Sequence, residues 1–79
     1  MKVEVRLFAT LQKHAPQGCQ PRGFELELNG EATAGEVLDR LSISRQLPLI
    51  LLVNGIHSEQ KGAIKEGDVV SIFPPVAGG

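Results

Sequence analysis

The sequence contains no tryptophan, no tyrosine and a single cysteine among its 79 residues. One cysteine cannot form an internal disulfide, and the chain has no residue spacing typical of a zinc finger. Its longest apolar runs fall far short of the roughly 20 residues that cross a bilayer. The first residues also lack the apolar core of a signal peptide. We therefore expect a cytoplasmic protein that has no membrane partner.

The net charge is close to zero as well. Nine acidic and eight basic residues leave a net charge of −1, whereas a nucleic-acid surface needs clustered lysines and arginines. We therefore expect no nucleic-acid partner. A chain of 79 residues has room for one hydrophobic core, and a hydrophobic fraction of 42% is enough to form it.

Hydrophobic periodicity predicts five strands and one main helix. The predicted strands are residues 1–8, 24–28, 49–53, 56–59 and 69–73. The predicted helix covers residues 34–42, because its apolar positions form one stripe and because Thr33 and Glu36 have the spacing of a capping box. Residues 10–15 are expected to form a short helical turn, with Leu11 as its apolar contact.

This order of elements predicts an α+β fold with a mixed sheet and one helix across one face. A right-handed crossover through the helix would place the first and last strands side by side and parallel, as in a β-grasp. Residues 61–65 are polar around a single apolar anchor, Ile64, and no strand is predicted there. We expect residues 1–73 to form the domain and residues 74–79 an extended, functional C-terminal tail.

Catalytic side chains are not expected. The serines lie near no motif that would activate a nucleophile. His14 and His57 are isolated in the sequence and are predicted to be solvated surface residues. Cys19 lies in a loop rich in proline and glycine without a second cysteine, which predicts an inert thiol. We expect neither a bound metal nor a bound cofactor.

The C-terminal tail has a composition that indicates a function. Pro74 and Pro75 follow a strand directly, and prolines lack amide donors and fix φ, so they hold a chain extended. The chain ends in Gly78 and Gly79, whose missing Cβ atoms let the backbone thread a narrow channel. This pattern predicts a substrate arm whose reactive group, the α-carboxylate of Gly79, is activated in another protein's active site. The alternative is a frayed terminus without a role.

The tail also carries a family resemblance. Residues 73–79, FPPVAGG, preceded by residues 66–70, EGDVV, resemble the C-terminal signature of the small subunit of molybdopterin synthase. Residues 3–9, VEVRLFA, resemble the first strand of that family, and Val53-Asn54-Gly55 recurs in it and in the thiamine sulfur carriers. The resemblance extends over essentially the whole chain and implies the ubiquitin-like β-grasp fold.

The resemblance also implies a chemistry. An ATP-dependent adenylating enzyme would activate Gly79, which would then become a thiocarboxylate with sulfur from a donor such as a cysteine desulfurase or a rhodanese-like protein. The large synthase subunit would use this sulfur to build the dithiolene of molybdopterin from a cyclic pyranopterin precursor. Gly78 would give a slim approach, and Pro74 and Pro75 would stiffen the arm. The chain would then be part of a sulfurtransferase without catalytic side chains of its own.

A binding surface is predicted beside the tail. Phe8 and Phe73 should project from neighbouring strands onto the sheet face opposite the helix, and Leu52 joins them if Leu51 and Val53 form the buried side of their strand. Adjacent exposed aromatic residues usually mark a partner site, although loops or the edge strand would be an alternative cover. Together with the tail residues, the predicted binding set is Gly78, Ala77, Val76, Pro75, Pro74, Phe73, Phe8 and Leu52.

Three other functions remain open from the sequence. A sulfur carrier for the thiazole of thiamine would share the Gly-Gly arm, and a ubiquitin-like modifier would join the same terminus to lysines. A plain interaction domain would make no use of the tail. The final metal, molybdenum or tungsten, is also open, because the pterin is common to both.

Overall fold

The computed structural model describes residues 1–75. Its elements are β1 (Lys2–Leu7), a 3₁₀ helix (Ala9–His14), β2 (Phe24–Glu27), β3 (Ala32–Thr33), α1 (Ala34–Arg40), β4 (Ile50–Val53), β5 (Ile56–Ser58), β6 (Ala63–Ile64) and β7 (Val69–Phe73). Leu11 is the buried residue of the 3₁₀ helix, as predicted. Within this part of the chain, no helix has the length and apolar character needed to cross a membrane.

The main sheet has five strands in the order β2-β1-β7-β4-β5. β1 pairs antiparallel with β2 and parallel with β7, and β4 pairs antiparallel with both β7 and β5. The helix α1 packs across one face. This arrangement confirms the predicted β-grasp, including the parallel pairing of the first and last strands.

One hydrophobic core lies between the sheet and α1. The strands contribute alternate residues to it, because successive side chains of a strand point to opposite faces. The fully enclosed large side chains are Leu7, Leu38, Ile72, Val3, Val5, Val37 and Val70. The predicted helix stripe is also buried, with Ala34 and Leu41 completing it.

The beginning of α1 differs from the prediction. Thr33 occupies the N-cap, but its side chain makes no capping hydrogen bond, so the predicted capping box is wrong. The N–H of Ala34 donates instead to the carbonyl of Gly62 at 3.0 Å. The N–H of Gly35 donates to the carbonyl of Gln60 at 2.7 Å. Backbone carbonyls from a distant segment thus satisfy amides that a side-chain cap would otherwise serve.

A second sheet of two strands explains this contact. β3 and β6 pair antiparallel, with Ala32 opposite Ile64 and Thr33 opposite Ala63. The sequence analysis assigned no strand to either segment, because two-residue strands are too short to show an alternating pattern. Ile64 is nevertheless buried, as the anchor role predicted.

The turn between β4 and β5 is joined to the start of β7. Asn54 and Gly55 have φ values of 53° and 83°, which a two-residue hairpin turn of type I′ requires. The Asn54 side chain donates to the Asp68 carboxylate at 2.9 Å and accepts from the Val69 N–H at 2.9 Å. The Lys65 N–H donates to the other carboxylate oxygen of Asp68 at 2.8 Å. The hydrogen bond from Asn54, followed by that from Lys65, holds the pKa of Asp68 below its ordinary value.

We expect Asp68→Asn to destabilise the fold by about 1 kcal/mol at pH 7, because it removes the charge that these two donors favour. A carboxyl whose folded-state pKa is lowered stabilises the fold above its unfolded-state pKa of about 3.9. That contribution disappears as the pH falls through the lower folded-state pKa. Urea unfolding of both proteins between about pH 7 and pH 2 measures the difference. A difference that stays constant over this range would contradict the assignment.

Candidate functional site

Two phenylalanines stack where β1 and β7 end. Leu7 lies opposite Ile72 at the end of the parallel ladder, and the N–H of Phe8 donates to the Ile72 carbonyl at 3.2 Å. The rings of Phe8 and Phe73 lie side by side, with centroids 4.2 Å apart and planes inclined by 10°. Because Leu7 and Ile72 point into the core, the two rings lie on the opposite face of the sheet. The structure therefore brings together the two aromatic residues that the sequence analysis selected.

An open groove of about 410 Å³ lies beside the stacked rings. Its lining residues are Phe8, Ala9, Thr10, Ile50, Phe73, Pro74 and Pro75. Ile50 reaches the groove because β4 pairs with β7 in a register that sets Ile50 opposite Phe73. Pro74 and Pro75 follow β7 directly, so the C-terminal tail starts from the groove.

An arginine lies on the other side of the ring pair. The N–H of Leu7 donates to the Pro21 carbonyl at 2.7 Å, which holds the end of the long loop against β1. The next residue, Arg22, places its guanidinium carbon 5.5 Å from the centre of the Phe8 ring. This distance is within the range of a cation–π contact. Since Phe73 covers one face of Phe8, the guanidinium lies over the other.

Four side chains form a line across the loop before β2 and the ends of β1, β7 and β4. We call this line the outer row: Arg22, Phe8, Phe73 and Ile50. The two phenylalanines were predicted from the sequence, whereas Arg22 and Ile50 were not. Ile50 belongs to a continuous apolar run that has no alternation to show its face. Arg22 lies in a loop whose path no periodicity reveals.

Leu52 lies on the same face but outside the groove. Its partner across the strands is Ser71, two residues before Phe73. Leu51 is buried and Val53 is half-buried, so the condition for an outward Leu52 is met. The structure brings Leu52 to the outer face of the sheet, where it is not one of the residues that line the groove.

The predicted tail residues divide at Pro75. Pro74 is half-buried and Pro75 is exposed. The other predicted site residues, Val76, Ala77, Gly78 and Gly79, lie outside the described residues. Their roles remain predictions.

Within residues 1–75, no group of three or more histidine, cysteine or acidic side chains is placed to hold a metal ion. His57 is exposed, as predicted. Cys19 is exposed as well, and the predicted inertness of its thiol stays a prediction. His14 differs from the predicted solvated residue: it is half-buried, with Nδ1 3.2 Å from the carbonyl oxygen of Leu41. In this part of the chain, the arrangement forms an open apolar groove at the root of the tail.

A family model describes the same chain. The model of the ThiS family matches residues 5–79. No curated protein matches the sequence.

Three solved structures share the fold over the whole chain. SAMP1 from Haloferax volcanii is 30% identical, with a TM-score of 0.74 and coverage of 100% of both chains. The HVO 2177 protein of Haloferax volcanii is 30% identical, with a TM-score of 0.78, and the match covers 100% of this chain and 87% of that one. A chain in the complex of subunits 1 and 2 of the molybdopterin-converting factor from Helicobacter pylori is 26% identical, with a TM-score of 0.61 and coverage of 100% of both chains.

The stacked rings are expected to contribute to stability as a pair. We expect a double-mutant cycle of Phe8→Ala and Phe73→Ala to give a coupling free energy of about 0.5–1.5 kcal/mol, the usual range for aromatic pairs beyond their buried area. Urea unfolding of the four proteins measures it. Additive single effects would show that the rings do not stack in solution.

Proposed function

This chain belongs to the ThiS family, and on that premise we propose that it is a sulfur carrier for molybdopterin biosynthesis. In this function Gly79 is adenylated and converted to a thiocarboxylate, which donates sulfur to a pyranopterin precursor. The observation that carries the proposal is the position of the tail: β7 leads directly into Pro74 and Pro75, and both prolines line an apolar groove.

A carrier arm needs a fixed root. β7 is the middle strand of the sheet and is hydrogen-bonded to β1 on one side and to β4 on the other. Pro74 and Pro75 cannot donate to either neighbour, so strand pairing cannot continue beyond Phe73 through them. The chain therefore leaves the sheet at a defined place. This geometry supports a tail that reaches into the active sites of other proteins.

The proposed chemistry takes place at the terminal carboxylate. The carboxylate of Gly79 attacks the α-phosphorus of ATP in the adenylating enzyme, and pyrophosphate leaves. A cysteine persulfide on a cysteine desulfurase or rhodanese-like protein then displaces AMP and forms an acyl disulfide. A thiol reduces its S–S bond, becomes part of a disulfide with the donor cysteine, and releases the thiocarboxylate. The carrier contributes the acyl group and the contacts that position it.

We expect two proteins to bind the docking surface, by which we mean the groove and the stacked rings of Phe8 and Phe73. The groove and the stacked rings lie at the root of the tail, so an enzyme that encloses the tail also covers them. One similar structure is a complex of subunits 1 and 2 of a molybdopterin-converting factor, which supports a large synthase subunit as the partner in which the sulfur is transferred to the pyranopterin. The adenylating enzyme is the second partner, and we place these reactions in the cytoplasm.

A second candidate function is attachment of Gly79 to lysines. H. volcanii small archaeal modifier protein 1 is similar to this chain, with 27% identity and a TM-score of 0.73. A modifier would share the activated terminus but would transfer its acyl group to an amine. A carrier for thiamine thiazole synthesis would share the thiocarboxylate and differ only in the acceptor of the sulfur.

Intact-mass spectrometry separates a sulfur carrier from a modifier, and co-purification with a large synthase subunit separates the two carriers. We expect incubation with ATP, a sulfur source, a thiol reductant and the adenylating enzyme of the same genome to replace one terminal oxygen by sulfur. Deletion of Gly79 is the control: it should abolish the mass change without altering the unfolding midpoint, because the buried core residues that the structure describes lie between Val3 and Ile72. Conjugates on lysine would favour the modifier. No mass change in the full-length chain would contradict both functions.

The docking surface has its own test. We expect Phe73→Ala to weaken binding of the large synthase subunit or the adenylating enzyme about tenfold or more, since buried aromatic residues often dominate interfaces. Phe73 is only partly buried in the isolated chain, so the fold should remain intact. Calorimetric titration measures both affinities, and Ile56→Ala, at an exposed edge-strand residue, is the control. Unchanged affinity for both partners would contradict the proposed surface.

A further inference from the structure

The outer row is apolar at one end and positively charged at the other. Ile50 and Phe73 line the groove beside the tail, and the guanidinium of Arg22 covers the far side of Phe8. We propose that Arg22 binds a carboxylate of the adenylating enzyme and thereby sets the orientation in which that enzyme docks. This inference rests on the proposed function and adds a specificity-determining residue to it.

The fold holds Arg22 in place before any partner binds. The Pro21 carbonyl accepts the Leu7 N–H at 2.7 Å, and the Gly23 N–H donates to the Gln20 carbonyl at 3.1 Å. These backbone hydrogen bonds fix the loop on both sides of Arg22. The cation–π contact with Phe8 restrains the guanidinium further. A side chain ordered in this way loses less conformational entropy when it binds than a free arginine does.

The charge of Arg22 is also available. Among residues 1–75, no carboxylate lies within 4.0 Å of it, whereas Arg6 is bonded to Glu4 at 2.6 Å and Arg45 to Asp39 at 2.7 Å. A guanidinium carries its N–H donors in its own plane, where a carboxylate can accept two of them. An acidic side chain is therefore the group that Arg22 is suited to bind.

The location restricts the partner to a protein that encloses the tail. The groove that the outer row borders is also lined by Pro74 and Pro75, so a protein that encloses the tail approaches this end of the sheet. The matching surface of that protein would carry an apolar side chain for the groove and an acidic one for Arg22. Because the two ends of the row differ in charge, only one of the two opposite orientations along the row satisfies both contacts.

The test compares two arginines of equal charge. We expect Arg22→Ala to raise the Kd for the adenylating enzyme of the same genome about tenfold or more, as for a lost charged hydrogen bond. Arg40→Ala removes the same charge from an exposed position on α1, across the sheet from the outer row, and should change the Kd less than about twofold. Arg22→Lys, which keeps the charge and loses the planar fork, should lie between wild type and Arg22→Ala.

Calorimetric titration of the full-length chain at low and high salt gives the readout. The wild-type affinity should fall more steeply with salt than that of Arg22→Ala, and the unfolding midpoint should be the same for both. Equal affinities of Arg22→Ala and Arg40→Ala would overturn the inference while leaving the proposed function intact. A loss confined to a parallel titration with the large synthase subunit would show that the occupant was wrongly chosen. A wild-type chain that does not bind the adenylating enzyme would overturn the proposed function and this inference together.

Discussion

The parallel hydrogen-bonded ladder between β1 and β7 joins two strands that are more than sixty residues apart in the chain. Its register sets Leu7 opposite Ile72 and thereby brings Phe8 against Phe73. A slip of one residue would exchange the two faces of a strand and turn core side chains towards solvent. The core therefore fixes the register, and the register fixes the aromatic pair, the groove and the root of the tail.

The other end of β7 is held by a different set of contacts. Asn54 bridges the β4–β5 turn to Asp68, and the Asp68 carbonyl accepts the N–H of Glu4 at 2.9 Å. The N–H of Gly67 donates to the carbonyl of Lys2 at 2.8 Å. The strand is thus fixed where it begins as well as along its ladders. A substrate arm attached to such a strand has an anchored base, and this agrees with the role proposed for the tail.

Sequence patterns predicted the strands well where one face of the strand is buried and the other is exposed. Alternation in residues 1–8 and 69–73 identified the strands, their inner faces and the outward phenylalanines. The capping box failed because carbonyls of residues 60–62 serve the first helix amides in its place. The β3–β6 sheet was missed because strands of two residues show no period. Each error lies where a contact between distant segments replaced a local one.

The sequence by itself determined the β-grasp order of elements, the core faces and the composition of the tail, because these depend on local periodicity and on the backbone properties of proline and glycine. The tertiary structure decided what surrounds the root of that tail. The register of β4 on β7 places Ile50 beside Phe73. The hydrogen bond from the Leu7 N–H to the Pro21 carbonyl places Arg22 beside Phe8. Strand register and loop closure join residues far apart in the chain, so no local pattern in the sequence reports them.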